Sequence, residues 1–234
     1  MRDGPEWRVE HRCATSKELH AAWPEPQLRD RRIVAVCEPT FPVTVVLGSS
    51  QSDLEIDPVA AGNPGLAFAR RSSGGGAVLV APGGQTWIDV WLPRGDPLWE
   101  DDVIKASFWV GDAWLMALTS GGAAELSVHR GRLESSPYAD RICFAGLGPG
   151  EVSSEGRKLV GLAQRRTRDG VRFHTVCPVD PVSRTLVPLL GLGGDEARLL
   201  GSVLDLRSTC LTQACSTRDT AHLADLVTAA LIAV

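Results

Sequence analysis

Lysine is nearly absent from this chain: of 24 Lys+Arg residues only Lys17, Lys105 and Lys158 are lysines, so each one raises the question of what it does. Long hydrophobic runs are missing too. The longest uncharged stretch, Ser72 to Ile88, is broken by Gly74, Gly75, Gly76, Pro82, Gly83 and Gly84, which excludes a membrane-spanning helix there. The opening residues, Met1-Arg-Asp-Gly-Pro-Glu6, lack the apolar core of a secretory signal, and a cytoplasmic protein is expected. No Cys-x-x-Cys pair occurs: Cys13, Cys37, Cys143, Cys177, Cys210 and Cys215 are scattered. That spacing argues against a zinc knuckle or dithiol redox motif and for reduced, mostly buried thiols. No metal site is expected. Nor is there an excess of positive charge. With 28 Asp+Glu the net charge is −4, so neither nucleic acid nor a membrane surface is an expected partner.

What is present suits an ordinary core. The 234 residues are 44% hydrophobic, with no repeat and no low-complexity tract dividing them, and residues 1–234 read as one domain. Short β-branched runs at Ile33–Val36, Thr44–Leu47, Leu66–Phe68, Val78–Val80 and Thr86–Leu92 predict strands. In the last, Ile88, Val90 and Leu92 alternate with Trp87, Asp89 and Trp91, so one face is apolar and the other mixed enough to line a pocket. Arg141–Phe144, Lys158–Arg166 and Val171–Val176 predict further strands, the last two joined by a hairpin at Thr167-Arg-Asp-Gly170. Helices are expected at Ser16–Ala22, Ile104–Leu118, Asp195–Leu206 and Thr217–Ala233, the last capped from Ser216. This pattern predicts an α+β fold with a mixed, largely antiparallel sheet flanked by helices.

Two segments carry chemistry. In Arg70-Arg-Ser-Ser-Gly-Gly-Gly-Ala-Val78 two guanidinium groups adjoin three glycines. Such a loop can turn successive N–H groups toward a phosphate or carboxylate while arginine supplies permanent charge. It matches neither the P-loop nor the Rossmann pattern, and the same residues also suit a plain hairpin with two surface arginines. In Gly156-Arg-Lys-Leu-Val-Gly-Leu-Ala-Gln-Arg-Arg166, Lys158 stands where a turn enters an apolar strand. There it is either a cation for a carbonyl or phosphate, or an edge lysine snorkelling to water.

Together with Val46-Leu-Gly-Ser-Ser-Gln51, these segments resemble the biotin/lipoate A/B protein ligase superfamily, specifically lipoate-protein ligase A and the related octanoyltransferases. The likeness runs in the family's order over roughly Ser16 to Val179. It implies a lipoyl or octanoyl group attached to a lysine of a lipoyl carrier domain, of a 2-oxoacid dehydrogenase or glycine-cleavage protein. In the ligases, lipoate or octanoate is activated with ATP and magnesium as an acyl-adenylate. Carried over, Arg70, Ser72, Gly74, Gly75, Gly76, Ala77 and Gly161 would bind substrate and adenylate, and Lys158 would hold the acyl carbonyl. The expected catalytic residues are Lys158 and Cys143.

Three departures complicate the likeness. Val80-Ala-Pro-Gly-Gly84 replaces the family's His-Asp-x-Gly, so no ionisable group remains there to move a proton. Only about 55 residues follow Val179, too few for the C-terminal accessory domain that many lipoate ligases carry. Cys143-Phe144, 15 residues before Lys158, resembles the cysteine-dependent octanoyltransferases. Those take the acyl group from an acyl carrier protein as a thioester, without ATP, and Lys158 is the cation that would favour the thiolate. A catalytically impaired acyl- or nucleotide-binding relative is the rival reading. Cys177, His129 and His174 read as structural residues, and the tryptophans as mostly core, one or two of them lining an acyl tunnel.

Overall fold

The computed structural model describes residues 6–51 and 58–234; the signal-sequence reading of residues 1–5 lies outside them. Among the described residues, β1 (Trp7–Thr15), β2 (Arg32–Thr40), β6 (Gln85–Pro93), β7 (Leu126–Val128), β8 (Val152–Ser154), β9 (Arg157–Arg166) and β10 (Gly170–Pro178) form a 7-stranded sheet. Its order is β1-β2-β6-β10-β9-β8-β7. A 3-stranded sheet runs β4-β3-β5, from β3 (Val43–Leu47), β4 (Leu66–Arg70) and β5 (Val78–Val80). Only β1–β2 and β3–β4 pair in parallel, so the architecture is the mixed, largely antiparallel α+β one that the sequence predicts. The helices are α1 (Ser16–Ala21), α2 (Pro58–Ala61), α3 (Phe108–Ser120), α4 (Val182–Thr185), α5 (Gly194–Arg207), α6 (Leu211–Ala214) and α7 (Thr220–Ile232).

Strand alternation sorts the large sheet into two faces. Ile88, Val90, Leu92 and Phe173 point to one side and bury against Val110, Trp114 and Leu118 of α3 and Leu223, Val227 and Leu231 of α7. Each such side chain contributes about 1.5–3 kcal/mol by leaving water. Trp87, Asp89, His174, Gly161 and Ala163 stand on the other side, toward the small sheet and α1. α1 is fixed by a capping box in which Thr15 and Glu18 satisfy each other's backbone N–H groups.

Two local expectations fail. Arg141–Phe144 is no strand: Ile142 makes one isolated bridge to Ala77, and Cys143–Ala145 is a 3-10 turn. The carbonyls of Cys143 and Gly146 both turn toward the Lys158 ammonium, a convergence that strand carbonyls, alternating in direction, do not reach. The last helix is capped by Asp219, which accepts from the His222 N–H, while Ser216 sits in a left-handed conformation at φ 54 outside it.

Candidate active site

A β-bulge aims Lys158. Along β8 and β9, Val152 faces Val160 but Ser153 faces Lys158, so Leu159 is an extra residue. The bulge reverses the alternation and puts Lys158 on the same face as Gly161, instead of with Val160 in the helix-covered core. Lys158 is 2% exposed. Its Nζ lies 2.7 Å from Glu151 Oε1, donates to Cys143 O at 2.8 Å and Gly146 O at 3.2 Å, and approaches Cys143 Sγ at 3.6 Å. Phe144 presents its ring 5.0 Å away. Burial alone pulls the lysine pKa down, but Cys143 and Glu151 together hold it above the ordinary value. The ammonium has three protons, which Glu151, the two carbonyls and Cys143 Sγ share.

Glu151, which sequence reasoning missed, is 4% exposed. Besides Lys158 it accepts from Gly148 N–H at 2.6 Å and Leu162 N–H at 3.0 Å. A single glutamate seven residues before a lysine carries no motif, so only the fold reveals this pair.

The two arginines of the glycine-rich segment divide. Arg70 is exposed and donates to Gly48 O at 2.8 Å and Gln51 O at 2.5 Å. Arg71, 5% exposed, turns inward and donates to Val46 O, Gly74 O and Gly76 O, folding the loop around itself. Burial lowers the Arg71 pKa, and Cys143 and Glu151 offset part of that. Two glycines are dictated by close approach: a Cβ on Gly48 would stand 1.9 Å from Gly75 O, and one on Gly76 2.6 Å from Ile142 N. Ala77 is fully buried and exchanges hydrogen bonds with Arg141 and Cys143, so the loop and the Cys143 turn are stitched together. Gln51 adds a bond to Arg141 O at 2.8 Å. Among the described residues no acceptor takes a backbone hydrogen bond from the N–H groups of Ser72, Ser73, Gly74, Gly75 or Gly76. The hydroxyls of Ser72 and Ser73 are buried without partners.

Between the sheets runs a narrow pocket of about 40 Å³, lined by Cys143, Arg71, Gly161, Val78, Trp87 and His174 among others. Its surface is almost wholly apolar because Gly161 and Ala163 leave room beneath Val78 and Val80 of the small sheet. A Cβ on Gly161 would meet Phe144 and Lys158 at ordinary contact distances of 3.5–3.6 Å. Of these residues Cys143, Arg71 and Gly161 line the pocket, whereas Lys158 and Ala77 stand behind Cys143, bonded to it, and Ser72, Gly74, Gly75 and Gly76 lie outside the lining. Arg70 lies apart from its lining, as does the Ala81–Gly84 turn that replaces the family's His-Asp. That turn is held by Gln85, whose amide both donates to and accepts from Ala81.

His174 differs from its structural reading. Its Nδ1 meets Asp89 Oδ1 at 2.8 Å, but Nε2 has no partner, and the ring lines the pocket. Asp89 also accepts from Trp87 Nε1 at 2.8 Å and from Arg172. Burial works against this carboxylate, yet Arg172 and His174 hold it well below the usual range. Cys177 is fully buried in the helix-side core, its thiol pushed well up by burial. His129 contacts Arg132 O at 2.7 Å away from the pocket lining. Among the described residues no helix is long and apolar enough to cross a membrane, and no His/Cys/Asp/Glu group is set to hold a metal.

Residues 12–232 match the family model described as the lipoyl protein ligase A/B catalytic domain. No curated protein matches the sequence. Solved structures share the fold. A bi-partite lipoate protein ligase of Thermoplasma acidophilum, studied with its E2 lipoyl domain, is 16% identical at a TM-score of 0.67, covering 96% of this chain and 83% of that one. Protein Ta0514 of the same organism, with bound lipoic acid, is 15% identical at 0.68, covering 97% and 83%. A lipoate-protein ligase A bound with ATP is 15% identical at 0.67, covering 97% and 84%.

Proposed function

Since the chain belongs to the lipoyl protein ligase A/B catalytic-domain family, we propose that it transfers a lipoyl or octanoyl group to the lysine of a lipoyl carrier domain, with Cys143 as the acyl-accepting nucleophile. The observation that carries this reading is the Cys143 thiol 3.6 Å from the Lys158 ammonium, at the wall of an apolar pocket. A thiolate is the reactive form of a cysteine nucleophile. In the first step Cys143 Sγ attacks the thioester carbonyl of an acyl carrier protein. The new S–C bond forms as the carrier's S–C bond breaks, and the carrier leaves as a thiol with the proton that Cys143 gives up. In the second step the uncharged amine of the target lysine attacks the Cys143 thioester, giving the amide and returning the thiol with the amine's proton.

Lys158 then acts as the fixed positive charge at the sulfur. Because Glu151, Cys143 O, Gly146 O and Cys143 Sγ already share its protons, holding an acyl carbonyl requires it to release one of them. Arg71 braces the loop of residues 74–76 and itself lines the pocket.

A second reading, through an acyl-adenylate, is favoured by a separate observation. The unengaged N–H groups of Ser72–Gly76 and the two serine hydroxyls fit a phosphate. Magnesium would accompany the nucleotide's phosphates. The ligases above are reported with ATP, with lipoic acid and with an E2 lipoyl domain, which supports the same substrates here.

Intact-mass spectrometry separates the routes. Incubation with octanoyl acyl carrier protein is expected to add one octanoyl group to the wild type and none to Cys143→Ser, and a lipoyl domain added next should acquire it. Full ATP-driven lipoylation by Cys143→Ser would assign the adenylate route instead.

A further inference from the structure

One row beyond Gly161, away from Lys158, two histidines join the pocket lining. Ala163, His174 and Asp89 stand side by side across β9, β10 and β6, about 7 Å along the sheet from the Gly161 row. His20, from the last turn of α1, covers this row, its ring centroid 5.4 Å from that of His174 and 4.5 Å from that of Trp87. Both histidines are 7% exposed and both line the pocket. Neither ring nitrogen of His20 has a partner, and neither has His174 Nε2. Buried polar atoms are nearly always satisfied, so three such atoms in one place demand an explanation.

The hydrogen-bond pattern says what they suit. Burial, then the neighbouring His174, pushes His20 down to about 3. Burial lowers His174 as well, with Asp89 opposing it. Both rings are therefore uncharged near neutral pH. Asp89 can only accept, so the proton of His174 is on Nδ1 and its Nε2 offers a lone pair. His20 brings one donor and one acceptor. A plain alkyl end satisfies none of these atoms, and a carboxylate has no proton to give to Nε2.

Taking the pocket as the acyl site proposed above, we infer that the acid it prefers carries an uncharged hydroxyl or amide toward its far end, donating to His174 Nε2 and accepting from His20. The partnered Asp89–Arg172 pair behind His174 fixes its tautomer, so the distal hydroxyl is read as a donor.

The test is calorimetric binding of hexanoate, 6-hydroxyhexanoate, octanoate and 8-hydroxyoctanoate to the whole chain. At one of the two lengths the hydroxy acid should bind about tenfold tighter than its plain counterpart. His20→Leu should bring that ratio below about twofold, and His20→Gln, which keeps a donor and an acceptor, should retain most of it. Equal or tighter binding of the plain acids, an unchanged ratio in His20→Leu, or no binding of any acid overturns the inference. Transfer to a lipoyl domain is read separately by mass. A hydroxyl preference without transfer would sink the acyl-transfer reading and leave this one standing, whereas octanoyl transfer without the preference would do the reverse.

Discussion

The carboxylate of Glu151 lies 2.7 Å from the ammonium of Lys158, and both are buried. Removing one member of such a pair leaves the other charged and unpaired inside the protein, which typically costs about 3–5 kcal/mol. Glu151→Leu is therefore expected to lower stability by roughly 3 kcal/mol in urea unfolding. Two backbone N–H groups lose their acceptor in the same variant. A loss within about 0.5 kcal/mol, the range of ordinary surface substitutions, would mean that Lys158 finds other partners.

Lys158→Ala should reduce acyl transfer about a hundredfold or more, the usual effect of deleting a charge placed at a reacting centre. The assay is lipoyl-domain acylation followed by mass, on protein whose thermal unfolding remains cooperative. Near-normal turnover in a folded variant would remove Lys158 from the mechanism.

The two arginines should separate. Arg71→Ala withdraws donors from Val46, Gly74 and Gly76 carbonyls and is expected to impair transfer by either route. Arg70→Ala is expected to weaken adenylate formation far more than acylation of Cys143, which isotope exchange between pyrophosphate and ATP would register. Equal losses in both assays would indicate disruption of the loop by Arg70→Ala rather than a phosphate contact.

Stability should fall in mild acid. A histidine whose pKa is lower folded than unfolded binds its proton preferentially in the unfolded state, so ΔG of unfolding rises with pH between the two values. For His20 that window runs from about 3 to the ordinary value near 6.5, with at most about 1.4 kcal/mol per pH unit at stake. His174 shifts in the same direction. Unfolding midpoints measured from pH 7 to pH 4 should decline, and less steeply in His20→Leu. Parallel curves would show that His20 contributes nothing to the slope.

Glycine substitutions should distinguish backbone need from pocket space. Gly76→Ala drives a Cβ to 2.6 Å from Ile142 N and should destabilise by about 1–3 kcal/mol. Gly161→Ala meets only ordinary contacts, so its melting temperature should stay close to wild type while its KM for the longer acyl donor rises. An unchanged KM would place the acyl chain elsewhere.

Most of the strands were legible in the sequence because period-2 alternation and turn residues are local signals. Val43–Leu47, Gln85–Pro93 and Gly170–Pro178 follow from them directly. Trp7–Thr15 was not, since its edge position lets Arg8, Glu10 and Arg12 interrupt the apolar pattern. The sequence also singled out Lys158, Cys143 and the Arg70–Val78 segment by their rarity and order. Composition and spacing could not decide which of two adjacent arginines turns inward, that Glu151 meets Lys158, or that His20 and His174 share one pocket wall. Those relationships join residues from separate elements. The Lys158 side chain depends on the same distinction. Its residue type is written in the sequence, but the face it occupies is set by the extra residue Leu159 opposite β8, because inserting one residue into a strand of period 2 exchanges its two faces.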